Sequence, residues 1–251
     1  MKIQSIIYNA KHWKTGVLLI MISIFSVQLL KAQLSDTYEN YEQNNYKGMP
    51  YGLFKPANYD PHQSYPLIVY LHGSNDTISR DIEWYKESVQ SLNPSFVLTP
   101  KTTETNLGWG DTWHNTNGEA QKKVLELVDT LIKDYNINPN RLYIYGISMG
   151  AFGVFSVLSN YPNKFAAAFA VCGGSSPGVA DKMLSTPLWI FHGEKDDIVP
   201  VRLSREIYHE IVKLGGKKVK YTEYPGVKHN SWENVSEEKE LSKWLFSQKK
   251  E

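Results

Sequence analysis

A serine flanked by two glycines lies near the middle of the chain, in the run Gly146-Ile147-Ser148-Met149-Gly150. The run follows an apolar stretch, Leu142 to Tyr145, and precedes a small apolar helical stretch, Ala151 to Leu158. In this setting the G-x-S-x-G pattern predicts a sharp strand-to-helix turn that exposes the serine hydroxyl as a nucleophile. The glycines allow neighbouring backbone to approach closely. We therefore predict nucleophilic catalysis at Ser148.

A serine hydroxyl is a poor nucleophile unless a base accepts its proton, and the chain has seven histidines. His229 lies past the last predicted strand and before the final predicted helix, in the loop from which such a sheet offers its base. His72 and His192 each precede a glycine at a strand end, which favours a role in bracing a loop. The pattern thus predicts His229 as the base, with His114 as the remaining alternative.

The base in turn needs a carboxylate that fixes its tautomer and stabilises the imidazolium. Asp196 and Asp197 both follow a predicted strand that ends at His192-Gly193, and both precede His229 in the chain order expected for this arrangement. Adjacent side chains point in different directions, so only one of the two aspartates can serve. The residues alone leave the choice open.

The elements that must position these side chains follow from the hydrophobic pattern. Short apolar runs read as strands at Leu67–Leu71, Phe96–Leu98, Leu142–Tyr145, Ala166–Val171, Leu188–Phe191 and Val219–Tyr224. Helical periodicity appears at Glu119–Tyr135, at Leu203–Leu214 and from about Glu237 to Phe246. This alternation predicts an α/β fold with a mostly parallel, doubly wound sheet and helices on both faces. Such sheets hold their sites at the carboxyl ends of the strands.

Several runs together resemble the α/β-hydrolase esterases: Gly146–Gly150, Tyr161–Ala168, Cys172–Gly174, His192–Pro200 and Tyr224–Trp232. Over about residues 50 to 247, the chain is similar to the exported prolyl-oligopeptidase-like or "predicted peptidase" esterases. This group is in turn similar to dienelactone-hydrolase-like proteins and to feruloyl- or acetylxylan-esterase-like proteins. The resemblance implies a single-domain α/β-hydrolase fold and hydrolysis of carboxylic esters. Its H-G-x-x-D-x-x-V-P pattern implies that the acid is Asp196.

Two backbone N–H groups must stabilise the oxyanion of the tetrahedral intermediate. One is expected to be that of Met149, the residue after the nucleophile. The resemblance implies that the other is the amide of Ser74, with Gly73 allowing the turn. His72 and Gly73 are also predicted to line the substrate pocket. Aromatic side chains near strand ends are further candidates for the pocket wall, namely Trp109, Trp113 and Trp232.

No cofactor and no metal site is predicted. His114 and Asp111 lie close together in the Gly-rich loop, but no second cluster has the spacing of metal ligands. Lys and Arg number 27 against 26 Asp and Glu, so the balance gives no reason to expect a nucleic-acid partner. The expected partner is a small-molecule or saccharide-linked ester.

The first residues differ in composition from the rest of the chain. Lysines precede an apolar run from Gly16 to Leu30, which ends at Lys31-Ala32-Gln33. This pattern predicts a signal peptide over residues 1–32 and export to the periplasm or the medium. The run is shorter than a spanning helix needs, so no stable membrane insertion is expected after cleavage, with an uncleaved anchor as the alternative. Residues 33–49 are predicted to be an exposed segment and residues 50–251 the hydrolase domain.

Two other functions compatible with these residues stay open. A serine peptidase of the prolyl-oligopeptidase-like type uses the same nucleophile, base and oxyanion donors. An inactive carbohydrate-binding protein on a hydrolase scaffold is a candidate from another class, and its expected mark is a lost member of the triad.

Overall fold

The computed structural model describes residues 41–74, 84–102, 108–114 and 118–250. The predicted signal peptide lies outside the described residues, as does the first part of the predicted exposed segment. Tyr41–Glu251 forms one unit of the chain. Within the described part, no helix combines the length and the apolar character needed to cross a bilayer.

One sheet of eight strands organises the described residues, in the order β1-β2-β4-β3-β5-β6-β7-β8. The strands are β1 Tyr41–Tyr46, β2 Met49–Phe54, β3 Tyr65–Leu71, β4 Phe96–Pro100, β5 Ile137–Ile147, β6 Ala167–Val171, β7 Leu188–Gly193 and β8 Val219–Tyr224. Strands β3 to β8 pair in parallel, whereas β1 and β2 are antiparallel to their neighbours. The prediction of a mostly parallel α/β sheet is confirmed, and the carboxyl ends of β3 to β8 share one edge.

The hairpin formed by β1 and β2 was not predicted from the hydrophobic pattern. Lys47 and Gly48 both have positive φ, 50° and 82°, as a tight hairpin turn requires. Strand β1 lies at the edge of the sheet and its side chains are largely exposed, so no alternation of apolar and polar residues marks it. The sheet therefore extends to Tyr41, into the segment predicted as an exposed lead-in, and the domain begins before residue 50.

Helices pack on the sheet at α1 Glu87–Gln90, α2 Glu119–Asp134, α3 Met149–Asn160, α4 Arg202–Lys213, α5 Trp232–Ser236 and α6 Leu241–Ser247. A 3-10 helix occupies Pro177–Met183. The helix predicted from about Glu237 to Phe246 begins later, at Leu241. Residues 237–240 form a turn between α5 and α6 instead, where Glu237 N–H bonds to the Asn234 carbonyl.

The core lies on both faces of the sheet, which explains why the central strands are continuous apolar runs rather than alternating ones. In β3, Leu67, Val69 and Leu71 face one apolar cluster, while Ile68 and Tyr70 face the other. Every residue of β3 is buried. A strand fixed on both faces holds its carboxyl end rigidly, and the loops that follow these ends carry the candidate site.

Candidate active site

The turn at Ser148 has the geometry that the glycine pattern predicts. Ser148 has φ 53° and ψ −115°, a conformation that non-glycine residues rarely adopt, and its N–H bonds to the Val171 carbonyl at 2.9 Å. A Cβ on Gly150 would lie 1.8 Å from the Leu71 carbonyl oxygen, and one on Gly146 would lie 2.3 Å from the Gly150 backbone. Glycine is therefore required at both positions for β5 and α3 to meet at this angle.

Three side chains converge at the carboxyl edge of the sheet. Ser148 Oγ, at the end of β5, lies 3.0 Å from His229 Nε2. His229 comes from the loop after β8, and its Nδ1 lies 2.8 Å from Asp196 Oδ2. Asp196 follows β7, and its side chain is fully buried. The structure thus brings together the three residues that the sequence singled out, in the order nucleophile, base and acid.

Backbone amides and a second histidine hold the Asp196 carboxylate. Its Oδ1 accepts from the amides of Ile198 and Val199 at 2.9 and 2.8 Å. Its Oδ2, already bonded to His229, also lies 3.1 Å from His192 Nε2. Asp197 instead points outward and pairs with Lys228 at 2.8 Å, and this hydrogen bond lowers the pKa of Asp197. Of the two aspartates, only Asp196 contacts His229.

His192 is completely buried and braces the loop after β7, as predicted. Its Nε2 lies 3.0 Å from the Val199 carbonyl, and its Nδ1 lies 2.8 Å from Ser204 Oγ on α4. Burial lowers the pKa of His192, which favours the neutral ring. Its contact with Asp196 was not predicted. The short separation of His192 and Asp196 in the sequence could have indicated this contact, because the two residues flank one tight turn.

The loop after β3 passes directly beside the nucleophile. A Cβ on Gly73 would lie 3.7 Å from Ser148 Cβ, and both Gly73 and Ser74 line the pocket at Ser148. Met149 is the first residue of α3, so its N–H is one of the helix-start amides without an intrahelical partner. Of the two amides proposed as oxyanion donors, that of Met149 follows Ser148 directly in the chain. That of Ser74 belongs to a residue that lines the same pocket as Ser148.

A cleft of about 710 Å³ opens at Ser148 and His229, and its lining includes several aromatic and aliphatic side chains. Tyr70, Tyr145 and Phe169 occupy matching positions on β3, β5 and β6 and stack in sequence, with ring centroids 4.8 and 4.5 Å apart. Trp84 packs on this row, 6.0 Å from Phe169. Sequence reasoning missed these residues because aromatics inside buried strands resemble ordinary core.

The prediction that Trp109 walls the pocket is wrong. Trp109 is fully buried, and its indole N–H donates to the His72 carbonyl at 3.0 Å. A Cβ on Gly153 of α3 would lie 2.3 Å from the Trp109 Cβ, so Trp109 packs directly against α3 as part of the core. Trp113 is exposed and packs against Phe152 rather than lining the cleft.

Trp232 does line the cleft, and its ring meets His229 edge to face at 5.7 Å. The prediction that His72 lines the pocket is wrong, whereas Gly73 does line it. The imidazole of His72 is buried, with Nδ1 2.7 Å from the Gly73 carbonyl and Nε2 accepting from the Thr102 amide at 3.1 Å. Both ring nitrogens are used to brace the loop, so His72 shapes the turn that carries Gly73 without facing the substrate.

The residues around the triad do not fit a resident metal ion. Cys172, Asp196 and His229 offer ligand atoms within 4.8 Å of one another. Burial raises the pKa of the Cys172 thiol to about 12, which disfavours the thiolate that a metal binds. The Asp111 carboxylate accepts from the amide of His114 at 2.9 Å and lies 3.1 Å from the His114 Nδ1. These two side chains therefore contact each other within their loop.

The chain is similar to a known protein family and to a solved structure over most of its described length. The model of the phospholipase/carboxylesterase family matches residues 58–242. The crystal structure of a thermostable esterase is 31% identical with a TM-score of 0.79, covering 85% of this chain and 64% of that one.

Two curated relatives are similar over part of their length. The bifunctional acetylxylan esterase/xylanase XynS20E of Neocallimastix patriciarum is 28% identical over 65% of this chain and 24% of its own. The uncharacterized peptidase YuxL of Bacillus subtilis is 25% identical over 71% of this chain and 33% of its own. The chain thus spans between about a quarter and a third of these two proteins.

Proposed function

Because the chain belongs to the phospholipase/carboxylesterase family of α/β-hydrolases, we propose that it is a serine hydrolase that cleaves carboxylic esters through an acyl-enzyme intermediate. The observation that carries this proposal is the unbroken hydrogen-bonded series from Ser148 through His229 to Asp196, with distances of 3.0 and 2.8 Å. Each distance lies within the reach needed for proton transfer or orientation.

In the first half of the reaction, Ser148 Oγ bonds to the ester carbonyl carbon while His229 Nε2 takes the hydroxyl proton. The carbonyl π electrons move to oxygen, which gives a tetrahedral oxyanion. The oxyanion then collapses, the bond to the alcohol oxygen breaks, and His229 returns the proton to that oxygen. Alcohol leaves, and the acyl group stays on Ser148.

In the second half, water attacks the acyl carbon and His229 takes a proton from it. Collapse of the new oxyanion breaks the bond to Ser148 Oγ, which recovers its proton from His229, and the carboxylic acid leaves. Asp196 accepts from His229 Nδ1 throughout and stabilises the imidazolium. The Met149 and Ser74 amides are the proposed donors to both oxyanions, and the N-terminus of α3 adds a favourable dipole.

The substrate class proposed is a small acyl or aryl ester, including esters attached to a saccharide. The aromatic row of Tyr70, Tyr145 and Phe169 offers an apolar surface beside Ser148, which suits an acyl or aryl group. Trp232 at the mouth offers a ring face for an aryl or sugar moiety. The name of the acetylxylan esterase/xylanase relative is consistent with a saccharide-linked ester.

The second candidate is a serine peptidase, which the similarity to peptidase YuxL favours. A measurement of kcat/KM for acetyl, butyryl and feruloyl esters against matched peptide anilides separates the two. We expect the esters to be faster, because an alkoxide or phenoxide leaves with less help than an amine. Ser148→Ala serves as the control for contaminating activity. Efficient cleavage of Pro-containing anilides with every ester spared would replace esterase by peptidase.

Export of the protein is a further part of the proposal, supported by the lysines and the apolar run of residues 1–32. Expression of the full chain in a Gram-negative host, followed by N-terminal sequencing of the periplasmic form, tests it. The expected mature sequence begins at Gln33. Recovery of the intact chain in the membrane fraction would support the uncleaved anchor instead.

A further inference from the structure

A second cleft, of about 680 Å³, lies at the edge of the sheet opposite the triad. Its lining includes Ala166, Pro187 and Lys218, which directly precede the parallel strands β6, β7 and β8. The triad residues follow strand ends, so the two sites are separated by the length of a strand, about 20 Å for the six residues of β7. This cleft is therefore distinct from the candidate active site.

Five lysines line this cleft, which we call the lysine cleft: Lys217, Lys218, Lys220, Lys249 and Lys250. Among the described residues, no Asp or Glu lines it and no ion pair joins these lysines to a carboxylate. The whole chain has a formal net charge of only +1, so this is a local concentration of positive charge. Burial lowers the pKa of Lys250, and the neighbouring charge of Lys164 lowers it further.

Positive charge that no carboxylate of the described residues neutralises, held in a concave surface, focuses the electrostatic potential and attracts anions. The geometry also fixes one of the ammonium groups, since Lys220 Nζ lies 3.5 Å above the centre of the Trp189 ring and 5.9 Å from that of Trp244. A cation held in this way loses less side-chain entropy when it pairs with a ligand.

Neutral groups in the same lining point to a ligand with hydroxyls as well as negative charge. Asn140 and Asn163 supply amide groups, and Trp244 supplies a partly exposed ring. Gln248 contributes its amide oxygen, since its Nε2 donates to the Trp244 carbonyl and to Ser247 Oγ. Thr186 also lines the cleft, is 3% exposed, and its hydroxyl has no hydrogen-bond partner among the described residues. A buried hydroxyl without a partner is unfavourable, and a polar ligand group that reaches it would restore the bond.

We propose that the lysine cleft binds a carboxylate-bearing oligosaccharide, with the ammonium groups pairing with uronate carboxylates and Trp244 with the amides contacting the sugar rings. The volume lies within the range of about 300–1,000 Å³ that small-molecule sites occupy. Lysines act as separate point charges, which suits carboxylates distributed along a chain, and no arginine, with its bidentate fork, lines the cleft in the described part. This inference does not depend on the proposed esterase activity.

Isothermal titration calorimetry of the full-length protein at low ionic strength tests the proposal, with trigalacturonate as the probe and maltotriose as the neutral match. We expect trigalacturonate to bind with a submillimolar Kd that weakens as salt is added, and maltotriose not to bind measurably. A variant that carries Lys217→Gln, Lys218→Gln and Lys249→Gln should bind trigalacturonate at least about tenfold more weakly, because exposed ion pairs are lost.

The matched control changes three other lysines that line neither cleft, Lys123→Gln, Lys133→Gln and Lys239→Gln, and should bind as the parent does. The three cleft lysines changed to Arg together should retain binding, which separates loss of charge from misfolding, and unfolding temperatures check the fold of all variants. Equal binding of maltotriose, or equal weakening in the control, would overturn the proposal. Binding to phosphatidylglycerol vesicles without binding to trigalacturonate would replace it by a membrane contact.

Discussion

His192 Nε2 lies 3.1 Å from Asp196 Oδ2, the same carboxylate oxygen that lies 2.8 Å from His229 Nδ1. Asp196, the proposed acid, is therefore held between two imidazoles, one buried and one beside the cleft at Ser148. Because burial lowers the pKa of His192, its neutral form is favoured, and its Nε2 contacts the carboxylate while lying 3.0 Å from the Val199 carbonyl oxygen. His192 is in this account a positioning residue.

Replacing His192 tests this role. His192→Phe should lower kcat roughly tenfold to a hundredfold with little change in KM, the size of effect that the loss of an orienting partner has at metal sites. His192→Gln places an amide N–H near the position of Nε2 and should recover most of the loss. Steady-state kinetics on folded protein, checked by unfolding temperature, measures both. If Gln and Phe are equally impaired, His192 only fills space.

The two neighbouring aspartates should behave very differently. Asp196→Asn removes the acceptor that fixes the His229 tautomer and should lower kcat by roughly four orders of magnitude. Asp197→Asn removes only an exposed ion pair with Lys228, so kcat should change less than about twofold and the unfolding temperature should stay close to that of the parent. Initial rates on one aryl ester decide the matter. The reverse order of effects would move the acid by one residue.

Trp232 is expected to set affinity for aryl or saccharide-linked esters. Trp232→Ala removes a ring from the mouth of the cleft and should raise KM for a feruloyl ester several-fold while changing an acetyl ester less. Trp113→Ala is the matched control, since that ring is also exposed but packs on Phe152 outside the cleft. Comparable KM effects of the two substitutions would show that the cleft at Trp232 does not receive the aryl group.

The ion pair between Arg205 and Glu223 predicts that the free energy of unfolding depends on pH. The Arg205 guanidinium donates to both Glu223 oxygens at 2.8 and 2.6 Å, and with the Tyr221 hydroxyl it lowers the pKa of Glu223 to about 2. An unfolded glutamate has a pKa near 4.3, so the stabilisation is complete above that pH and is lost as the pH falls through about 2.

Glu223→Gln should therefore reduce the free energy of unfolding by about 1 kcal/mol at pH 7, a figure that allows for the partial exposure of the pair. Urea denaturation at several pH values should show the difference narrowing steadily below about pH 4. A difference that stays constant down to about pH 2 would mean that the substitution acts through packing rather than through the carboxylate charge.

The sequence was sufficient for the elements that have strong local signals. Ser148, His229 and the neighbouring aspartates 196 and 197 each follow a predicted strand, so the shared edge of a parallel sheet brings them together without any knowledge of the distances. The choice of Asp196 over Asp197 comes from the resemblance to the esterases and not from the strand pattern. The need for glycine at positions 146 and 150 could also be predicted from the sequence pattern, because only glycine fits against the backbone at these positions.

The remaining features depend on packing that a single sequence does not display. Strand β1 is polar because it lies at an exposed edge, and Trp109 lies in a loop but packs as core, so composition misleads in both cases. The aromatic row of the pocket depends on the register between β3, β5 and β6, which pairs Tyr70 with Tyr145 and Tyr145 with Phe169. Register is a tertiary property, and local pattern does not determine it.

The central claim is that Ser148 is activated by His229, and labelling with a fluorophosphonate probe tests it most directly, since only an activated serine reacts rapidly. Peptide mass spectrometry of the labelled protein should place the adduct on Ser148, and the adduct should be absent in Ser148→Ala. Labelling should slow by orders of magnitude in folded His229→Ala, in which the base 3.0 Å from Ser148 Oγ is missing. An unlabelled parent protein, an adduct on another serine, or undiminished labelling of His229→Ala would contradict the account.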